Sequence, residues 1–564
     1  MFMMFNRALI FLIFVFSFSS ISAQTARPDF NRKQTYDAQH YKIQTSFNHA
    51  KREIYGDTTI TLKPLAVNFT SVEFDAAGLA FKKVTLDPSG MELKYRTAGD
   101  RVIVTLDKAY APADTVSVRL IYTATRPKKG VYFNDLLTED GQEVHPAQIY
   151  TQGEPDEHRH WFPSFDFPSD KATTEQIITT EKSNTVIANG ELLSQKENAD
   201  GTMTWHYKMP VPHAVYLVSF IIGKYAKVEE KYRDISLSYY VYPGREDIVP
   251  KAYGNTKEMM QVFEDLTGVA YPFNKYDQTM VSAFNFGGME NITATTMADT
   301  EIFAANVSFL QGNVEDLVSH ELAHSWFGNL VTCRNWAELW LNEGFATFME
   351  AAWREKKYGR KDYMRQVLED ANSFMTQDAV LPNSHGLFNR TANNVSALFD
   401  HAGVTYNKGG AVVHTLREQI GDEAFWKAIN TYLTRHRLGS VESTDLKKAM
   451  EETAGQDLTW FFDQWVYGLG YPKLNVTQTW NPRRKILTLI VTQTQKIGGL
   501  NTAAYRLPMD VEFVVPNNPV RKEKLEVTKR TQVFTFKLPA KPTSTTFDRD
   551  NKIPVKSVKL AVLR

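Results

Sequence analysis

The chain has 564 residues, of which 43% are hydrophobic, 12% aromatic and 23% charged, a composition that excludes disordered and fibrous proteins. Lysine plus arginine equals aspartate plus glutamate at 64 each, so no net charge favours nucleic acid or an anionic membrane as a partner. Because single hydrophobic cores seldom exceed about 250 to 300 residues, we expect two to four domains.

Residues 1–23 are predicted to be a secretory signal peptide. Arg7 precedes an apolar run from Ala8 to Phe18, and small residues follow up to Ala23. We expect cleavage before Gln24 and export to the periplasm or the medium. An uncleaved membrane anchor is the alternative, although the run is shorter than the span of about 20 residues that a bilayer requires. Since no later stretch reaches that length, no stable membrane insertion is expected after cleavage.

The rest of the chain is predicted to be a multidomain α+β protein. Residues 24–228 form an antiparallel β domain, because segments such as YKIQTSF and RVIVTL alternate apolar and polar residues between turn clusters. Residues 229–470 form a mostly helical domain, in which apolar residues recur three and four positions apart. Residues 471–564 return to alternating segments, which predicts a small C-terminal β-sandwich.

The strongest chemical signal is the stretch HELAH, which begins at His320 and ends at His324. Residues four apart lie on one face of an α-helix, so both imidazoles can point at one ion. Neutral imidazole suits zinc, and a catalytic zinc usually takes three protein ligands. Glu321 is rotated by about a quarter turn from His320 and would lie beside the ion as a general base for water. This pattern on a helix is a metalloprotease signature.

The alternative interpretation is a buried helix in which these polar residues occur by chance. The surrounding residues are apolar nearly all round the helix, which predicts burial. A buried charge needs a partner, and a divalent cation would provide one. A third metal ligand would come from the next helix, where Glu338, Glu343 and Glu350 are the candidates.

At this point the sequence resembles a known family. An H-E-x-x-H motif followed, after eighteen residues, by the glutamate of NEGFA resembles the gluzincins of metallopeptidase family M1, the alanyl-aminopeptidase group. The resemblance implies a thermolysin-like catalytic domain with one zinc ion per chain. It also implies that Glu343, rather than Glu338 or Glu350, is the ligand that joins His320 and His324.

Three further segments carry the resemblance. FNFGGMEN resembles the exopeptidase box of the family, in which a glutamate binds the free α-ammonium of the substrate. TQGEPDEHRHWF resembles the segment that adds a glutamine and a second glutamate, and VTYNKGG resembles the one that places a tyrosine near the oxyanion. The substrate-binding residues implied are Gln152, Glu154, Gly287, Gly288, Met289, Glu290 and Asn291, and the tyrosine is Tyr406.

The resemblance implies a zinc-dependent aminopeptidase that removes N-terminal residues from peptides with a free N-terminus. It implies a short, three-domain form without the C-terminal helical domain of many relatives. Gly288 stands where many family aminopeptidases have alanine, a feature of the leukotriene epoxide hydrolase branch. An epoxide hydrolase, an endopeptidase and a non-catalytic peptide-binding protein with a structural metal are the alternatives. Oligomeric state and side-chain preference do not follow from the sequence.

Overall fold

The computed structural model describes residues 27–381 and 385–563. The predicted signal peptide, residues 1–23, lies outside these ranges. Within them, none of the helices combines the length and the apolar character needed to cross a membrane.

The N-terminal region is built from β-strands, as the alternating segments predict. Its strands are β1 (Tyr36–Asn48), β2 (Glu53–Pro64), β3 (Phe69–Asp75), β4 (Leu79–Asp87), β5 (Met91–Glu92), β6 (Tyr95–Thr97), β7 (Arg101–Tyr110), β8 (Val116–Thr125), β9 (Val131–Asn134), β10 (Leu137–Glu139), β11 (Gln142–His145), β12 (Gln148–Thr151), β13 (Lys171–Glu181), β14 (Thr185–Ala188), β15 (Glu191–Glu197), β16 (Thr202–Ala214) and β17 (Phe220–Gly223).

Eight of these strands form the largest sheet, in the order β15-β16-β13-β1-β2-β8-β4-β5. All neighbours in it pair antiparallel except β1 and β13, which pair in parallel. The prediction of a wholly antiparallel domain is therefore wrong for this pair. Alternation along a strand shows which face is buried but not the direction of a neighbour that lies far away in the chain.

The central region combines helices with a five-stranded mixed sheet, in the order β18-β19-β20-β22-β21. The strands are β18 (Ala226–Tyr232), β19 (Ile235–Val241), β20 (Lys275–Val281), β21 (Gly288–Met289) and β22 (Ala294–Ala298), with the short pair β23 (Thr332–Cys333) and β24 (Ser440–Val441) further on. The helices are α1 (Val249–Ala252), α2 (Thr256–Thr267), α3 (Asp299–Phe303), α4 (Gln311–Ala323), α5 (Trp340–Tyr358), α6 (Arg360–Val380), α7 (Gly409–Ile420), α8 (Asp422–Arg435), α9 (Ser443–Ala454) and α10 (Thr459–Trp465).

The sequence does not predict this mixed sheet. Every residue of β22 and all but the first of β20 are buried, so neither strand shows the alternation by which a half-buried strand is recognised. The predicted division after residue 228 falls inside β18, and the domain limits otherwise stay predictions.

The C-terminal region contains two small sheets, with strand orders β29-β26-β25-β31 and β28-β27-β30. Their strands are β25 (Lys473–Asn481), β26 (Ile486–Gln493), β27 (Leu507–Val514), β28 (Arg521–Val527), β29 (Thr531–Lys537), β30 (Ser544–Phe547) and β31 (Ser557–Val562). The rings of Phe513 on β27 and Phe536 on β29 have centroids 4.8 Å apart, so one apolar contact joins the two sheets.

Candidate active site

A cavity of about 610 Å³ opens beside helices α4, α5 and α6. Its lining includes ten of the twelve predicted site residues: Glu154, Gly287, Gly288, Met289, Glu290, His320, Glu321, His324, Glu343 and Tyr406. The mixed sheet supplies the glycine-containing strand β21, and the loop after β12 supplies Glu154. Residues that are up to 252 positions apart in the sequence, from Glu154 to Tyr406, therefore share one site.

Two histidines and a glutamate meet at one point of this cavity. His320 lies in the last turn of α4, and His324 is its C-cap residue. The Nε2 atom of His320 lies 3.2 Å from Oε2 of Glu343, and Nε2 of His324 lies 3.3 Å from the same oxygen. All three donor atoms lie within 4.8 Å of one another, a grouping that could hold a metal ion.

The other nitrogen of each imidazole is bound from outside the group. Nδ1 of His324 donates to the carbonyl oxygen of Phe327 at 2.8 Å, and Nδ1 of His320 lies 2.8 Å from Oε1 of Glu350. Since a carbonyl and a carboxylate only accept hydrogen bonds, these contacts leave both Nε2 atoms for a ligand bond. Glu350 is one of the three candidate third ligands. It contacts Nδ1 of His320 and so orients the ring, whereas Glu343 lies at Nε2.

The electrostatics of this group favour positive charge. Burial lowers the pKa of both histidines, but the neighbouring carboxylates outweigh it and raise the pKa of His324 to about 9 and that of His320 well above its ordinary value. Imidazole and carboxylate donors are among those that zinc prefers. The residues present therefore fit a divalent cation.

Glu321 lies next to this group. Its Oε2 atom is buried and accepts no hydrogen bond from the residues that the structure describes. A Cβ added to Gly288 would lie 2.2 Å from Oε1 of Glu321, so the carboxylate occupies the space that the glycine leaves. Burial raises the pKa of Glu321 to about 8. Such a carboxylate binds a proton readily, as a general base must.

A second group of carboxylates borders the first. Oxygen atoms of Glu154, Glu290 and Glu343 lie within 4.8 Å of one another. Oε1 of Glu154 has no hydrogen-bond partner within the described part of the chain, whereas Oε1 of Glu290 accepts from the hydroxyl of Tyr216 at 3.1 Å. Burial and the nearby carboxylates raise the pKa of Glu154 well above its ordinary value. A cationic partner at this position would stabilise the charged form of these buried acids.

Two of the predicted residues do not reach the cavity. The Nε2 atom of Gln152 lies 3.3 Å from the sulfur of Met289, behind the lining. The side chain of Asn291 donates to Oγ1 of Thr296 at 3.0 Å. Direct substrate contacts of Gln152 and Asn291 therefore stay predictions, while Met289 connects Gln152 to the cavity wall.

Two family profiles match this chain in sequence. The profile of the Peptidase family M1 domain covers residues 251–465, and that of the Peptidase M1 N-terminal domain covers residues 37–217. The chain belongs to peptidase family M1. The family resemblance that the motifs predict is thereby confirmed.

Several M1 relatives are similar to this chain over part of their length. Aminopeptidase N of Streptomyces lividans is 34% identical over 336 residues, which are 57% of this chain and 38% of the relative. Glutamyl aminopeptidase of Bos taurus is 31% identical over 63% of this chain and 37% of its own length. Tricorn protease-interacting factor F2 of Thermoplasma acidophilum is 27% identical over 74% and 52%. The chain spans about half or less of the length of these relatives.

Tyr406 lies beside His320 in the cavity. Tyr406 lies in a π-helical turn, Val404–Lys408, directly before α7. Its ring is nearly parallel to that of His320, with centroids 6.0 Å apart. Burial and the charge of Glu343 raise the pKa of Tyr406 well above its ordinary value, so its hydroxyl keeps the proton and can donate a hydrogen bond.

The sequence does not identify Tyr216, although this residue of the M1 N-terminal region contacts Glu290 directly. Tyr216 is one of 25 tyrosines and lies in the apolar segment VYLVSFIIG. No spacing pattern separates it there from a tyrosine of the core. Glu350 is recognised only as an alternative ligand, because the orientation of an imidazole is a tertiary property.

Proposed function

We propose that this chain is a zinc-dependent aminopeptidase that hydrolyses the first peptide bond of peptides with a free N-terminus. One observation carries the proposal: the buried acids Glu154 and Glu290 lie beside Glu343, within the same cavity as the two histidines. Metal ligands alone would suit an endopeptidase or an epoxide hydrolase. Two additional buried carboxylates at one end of the metal site suit a substrate that carries an α-ammonium.

His320, His324 and Glu343 would hold the zinc ion. When bound, zinc would supply a Lewis acid that polarises the scissile carbonyl and acidifies water. The contacts of Glu350 and of the Phe327 carbonyl fix the ring orientation of the two histidines for this purpose.

The remaining residues act on protons and on substrate position. Glu321 accepts a proton from the attacking water and returns it to the leaving amine. The Tyr406 hydroxyl donates a hydrogen bond to the oxyanion that develops on the carbonyl oxygen. Glu154 and Glu290 bind the α-ammonium, so that only the first peptide bond reaches the metal.

Similarity supports this activity, since two of the compared M1 relatives are named aminopeptidase N and glutamyl aminopeptidase. We also propose that the central region has the thermolysin-like arrangement of the family. The contact between Phe513 and Phe536 supports a sandwich for the two C-terminal sheets.

We further propose that the protein is exported and that residues 1–23 are removed as a signal peptide. The support comes from the sequence, in which a short apolar run follows Arg7. Expression in a bacterial host followed by N-terminal sequencing of the exported protein tests this. We expect Gln24 as the first residue, whereas an intact N-terminus in the membrane fraction would indicate an anchor.

A panel of aminoacyl anilides and their N-acetylated counterparts, each assayed with and without a zinc chelator, tests the activity. We expect only the free anilides to be cleaved, and only without chelator. Equal cleavage of the acetylated anilides would make the protein an endopeptidase and remove the role of Glu154 and Glu290. If neither series is cleaved, the proposed activity is wrong, and a lipid epoxide would be the next substrate.

A further inference from the structure

Two consecutive hydrogen bonds join the acid Glu290 to helix α5, which carries the metal ligand Glu343, and a third holds the α5 end of this relay. The hydroxyl of Tyr216 lies 3.1 Å from Oε1 of Glu290. The same hydroxyl lies 3.3 Å from Nδ2 of Asn342, and Oδ1 of Asn342 lies 3.0 Å from the backbone nitrogen of Cys333. Asn342 directly precedes Glu343 in the chain. Tyr216, from the N-terminal region, therefore bridges two parts of the catalytic site.

The direction of each hydrogen bond in this relay is determined by chemistry. The backbone N–H of Cys333 can only donate, so the oxygen of the Asn342 amide accepts from it and the NH₂ group faces Tyr216. That NH₂ group can only donate, so the Tyr216 oxygen accepts from it. The single hydroxyl proton of Tyr216 is then left for Glu290, where it donates to Oε1.

Two members of the relay lie in the protein interior, and the third lines the cavity. Tyr216 is 1% exposed and Asn342 is fully buried, so no solvent replaces a partner that either of them loses, whereas Glu290, 3% exposed, faces the cavity. The ring of Tyr216 also packs edge-on against Trp336 with centroids 5.4 Å apart, which holds the hydroxyl in place. In such surroundings a polar group without a partner is costly, so each side chain keeps one orientation.

We propose that Tyr216 and Asn342 are positioning residues that hold the Glu290 carboxylate at a fixed distance from the metal ligands. The Tyr216 hydroxyl donates to Oε1 of Glu290. This hydrogen bond leaves Oε2 of Glu290 free to bind a substrate ammonium. Because the relay ends beside Glu343, a shift of the metal-ligand helix moves the ammonium site with it. The inference rests on the proposed aminopeptidase function. It adds that Tyr216 and Asn342 align the first peptide bond of the substrate with the metal site.

Tyr216→Phe tests the proposal, because it removes the hydroxyl and keeps the ring that packs on Trp336. Two hydroxamate inhibitors are compared by calorimetry on the zinc-loaded protein: one with an α-amino group, and its desamino counterpart. We expect the amino-bearing compound to bind about tenfold more weakly, as for the loss of a hydrogen bond to a charged group. The desamino compound should bind unchanged, because it makes no contact with Glu290.

Kinetics with an aminoacyl anilide provide a second readout. We expect the Tyr216→Phe variant to raise KM by a larger factor than it lowers kcat, since ammonium binding precedes the chemical step. Asn342→Ala should show a smaller effect of the same sign, because Tyr216 then keeps its bond to Glu290. Zinc content, measured by atomic absorption, should equal that of the unmodified protein in both variants.

Tyr253→Phe is the matched control. Tyr253 is also fully buried in the central region, but its hydroxyl has no hydrogen-bond partner in the part of the chain that the structure describes. It should leave both hydroxamates unaffected. Equal weakening of both hydroxamates by Tyr216→Phe, or no weakening of either, would overturn the relay. Failure of the unmodified protein to cleave any free anilide would instead overturn the proposed function.

Discussion

Neighbouring acids in this cavity have opposite ionisation behaviour because their partners differ. Burial alone would raise the pKa of Glu343, but His324 and His320 hold it at about 2. Glu321 lies close to His324, and its Oε2 atom accepts no hydrogen bond from the described part of the chain. Burial raises its pKa to about 8. One carboxylate is thus suited to bind a cation permanently, and the other to exchange a proton.

Glu321→Gln should abolish most turnover while the metal stays bound. Glutamine keeps the size of the side chain but cannot accept a proton, so we expect kcat to fall by about 10² to 10⁴-fold. Anilide hydrolysis and zinc content are the measurements. Glu369→Gln is the control, since Glu369 lines the outer cavity and pairs with Arg365 instead of the histidines. A Glu321→Gln variant with full activity would contradict the assigned role.

Glu350→Gln should weaken metal binding without removing a metal ligand. The carboxylate of Glu350 accepts from Nδ1 of His320, and loss of such a partner lowers zinc affinity by about 10 to 100-fold. Competition with a fluorescent chelator measures the affinity. Glu355→Gln changes an acid on the same helix that pairs with Arg360 and Arg417, and it should leave zinc affinity unchanged. Equal affinities in the two variants would show that Glu350 does not orient His320.

Two helical elements approach each other closely, and Tyr406 lies beside His320 where they meet. A Cβ on Gly409, the first residue of α7, would lie 2.7 Å from the Cα of Gly344 on α5. Only glycine permits this backbone contact. The π-helical turn Val404–Lys408 runs directly into α7, so the contact fixes the distance from Tyr406 to α5.

Gly409→Ala should destabilise the protein and reduce its activity together. The added methyl group meets backbone atoms that cannot rotate away, an overpacking that costs about 1 to 3 kcal/mol and displaces the turn that carries Tyr406. Thermal unfolding and kcat are measured side by side. Gly312→Ala in α4 is the control, because its Cβ meets only the end of the Arg354 side chain, at 3.3 Å. Unchanged kcat in Gly409→Ala would separate Tyr406 from this contact.

At the level of elements, sequence patterns predict whatever is repeated locally. Half-buried strands such as β2 and β13 alternate visibly, and the spacing in HELAH identifies one face of α4. Strand β22, which is fully buried, and β20, which is buried except for its first residue, carry no such repeat, so the sequence does not predict them. The partners of the site follow the same rule: Glu321 was predicted from its motif, whereas Tyr216 depends on a contact between residues 74 positions apart.

Over the whole molecule, the N-terminal region and the central region meet at the segment FNFGGMEN, residues 284–291, which resembles the exopeptidase box and is called the box below. The amide of Asn189 donates to the carbonyl oxygens of Leu217 and Ile292 at 3.1 and 2.7 Å. Its oxygen accepts from the side chain of Gln176 and from the backbone of Ser219. A single buried side chain thereby ties two N-terminal sheets to the residue that follows Asn291. The N-terminal region consequently supports the position of Glu290 as well as supplying Glu154.

Asn189→Ala should therefore lower stability and weaken substrate binding at the same time. Four buried polar groups lose a hydrogen bond, although the Leu217 carbonyl and the Gln176 amide each keep a second partner. We expect a loss of about 2 to 4 kcal/mol in the free energy of unfolding. The box would lose one of its fixed contacts, so KM for an aminoacyl anilide should rise, while zinc stays bound to residues of α4 and α5. Urea unfolding and steady-state kinetics at a temperature well below the transition measure the two effects.

Asn198→Ala is the matched control for this variant. Asn198 donates to Thr202 and Thr204 within the hairpin of β15 and β16. Its loss should leave KM unchanged, and it should change the free energy of unfolding by no more than about 0.5 kcal/mol. If Asn189→Ala loses stability but keeps its KM, the hydrogen bonds of Asn189 stabilise the contact between the two regions, but substrate binding by the box does not depend on them. If KM rises as expected, docking of the N-terminal region sets the geometry in which the ammonium is bound.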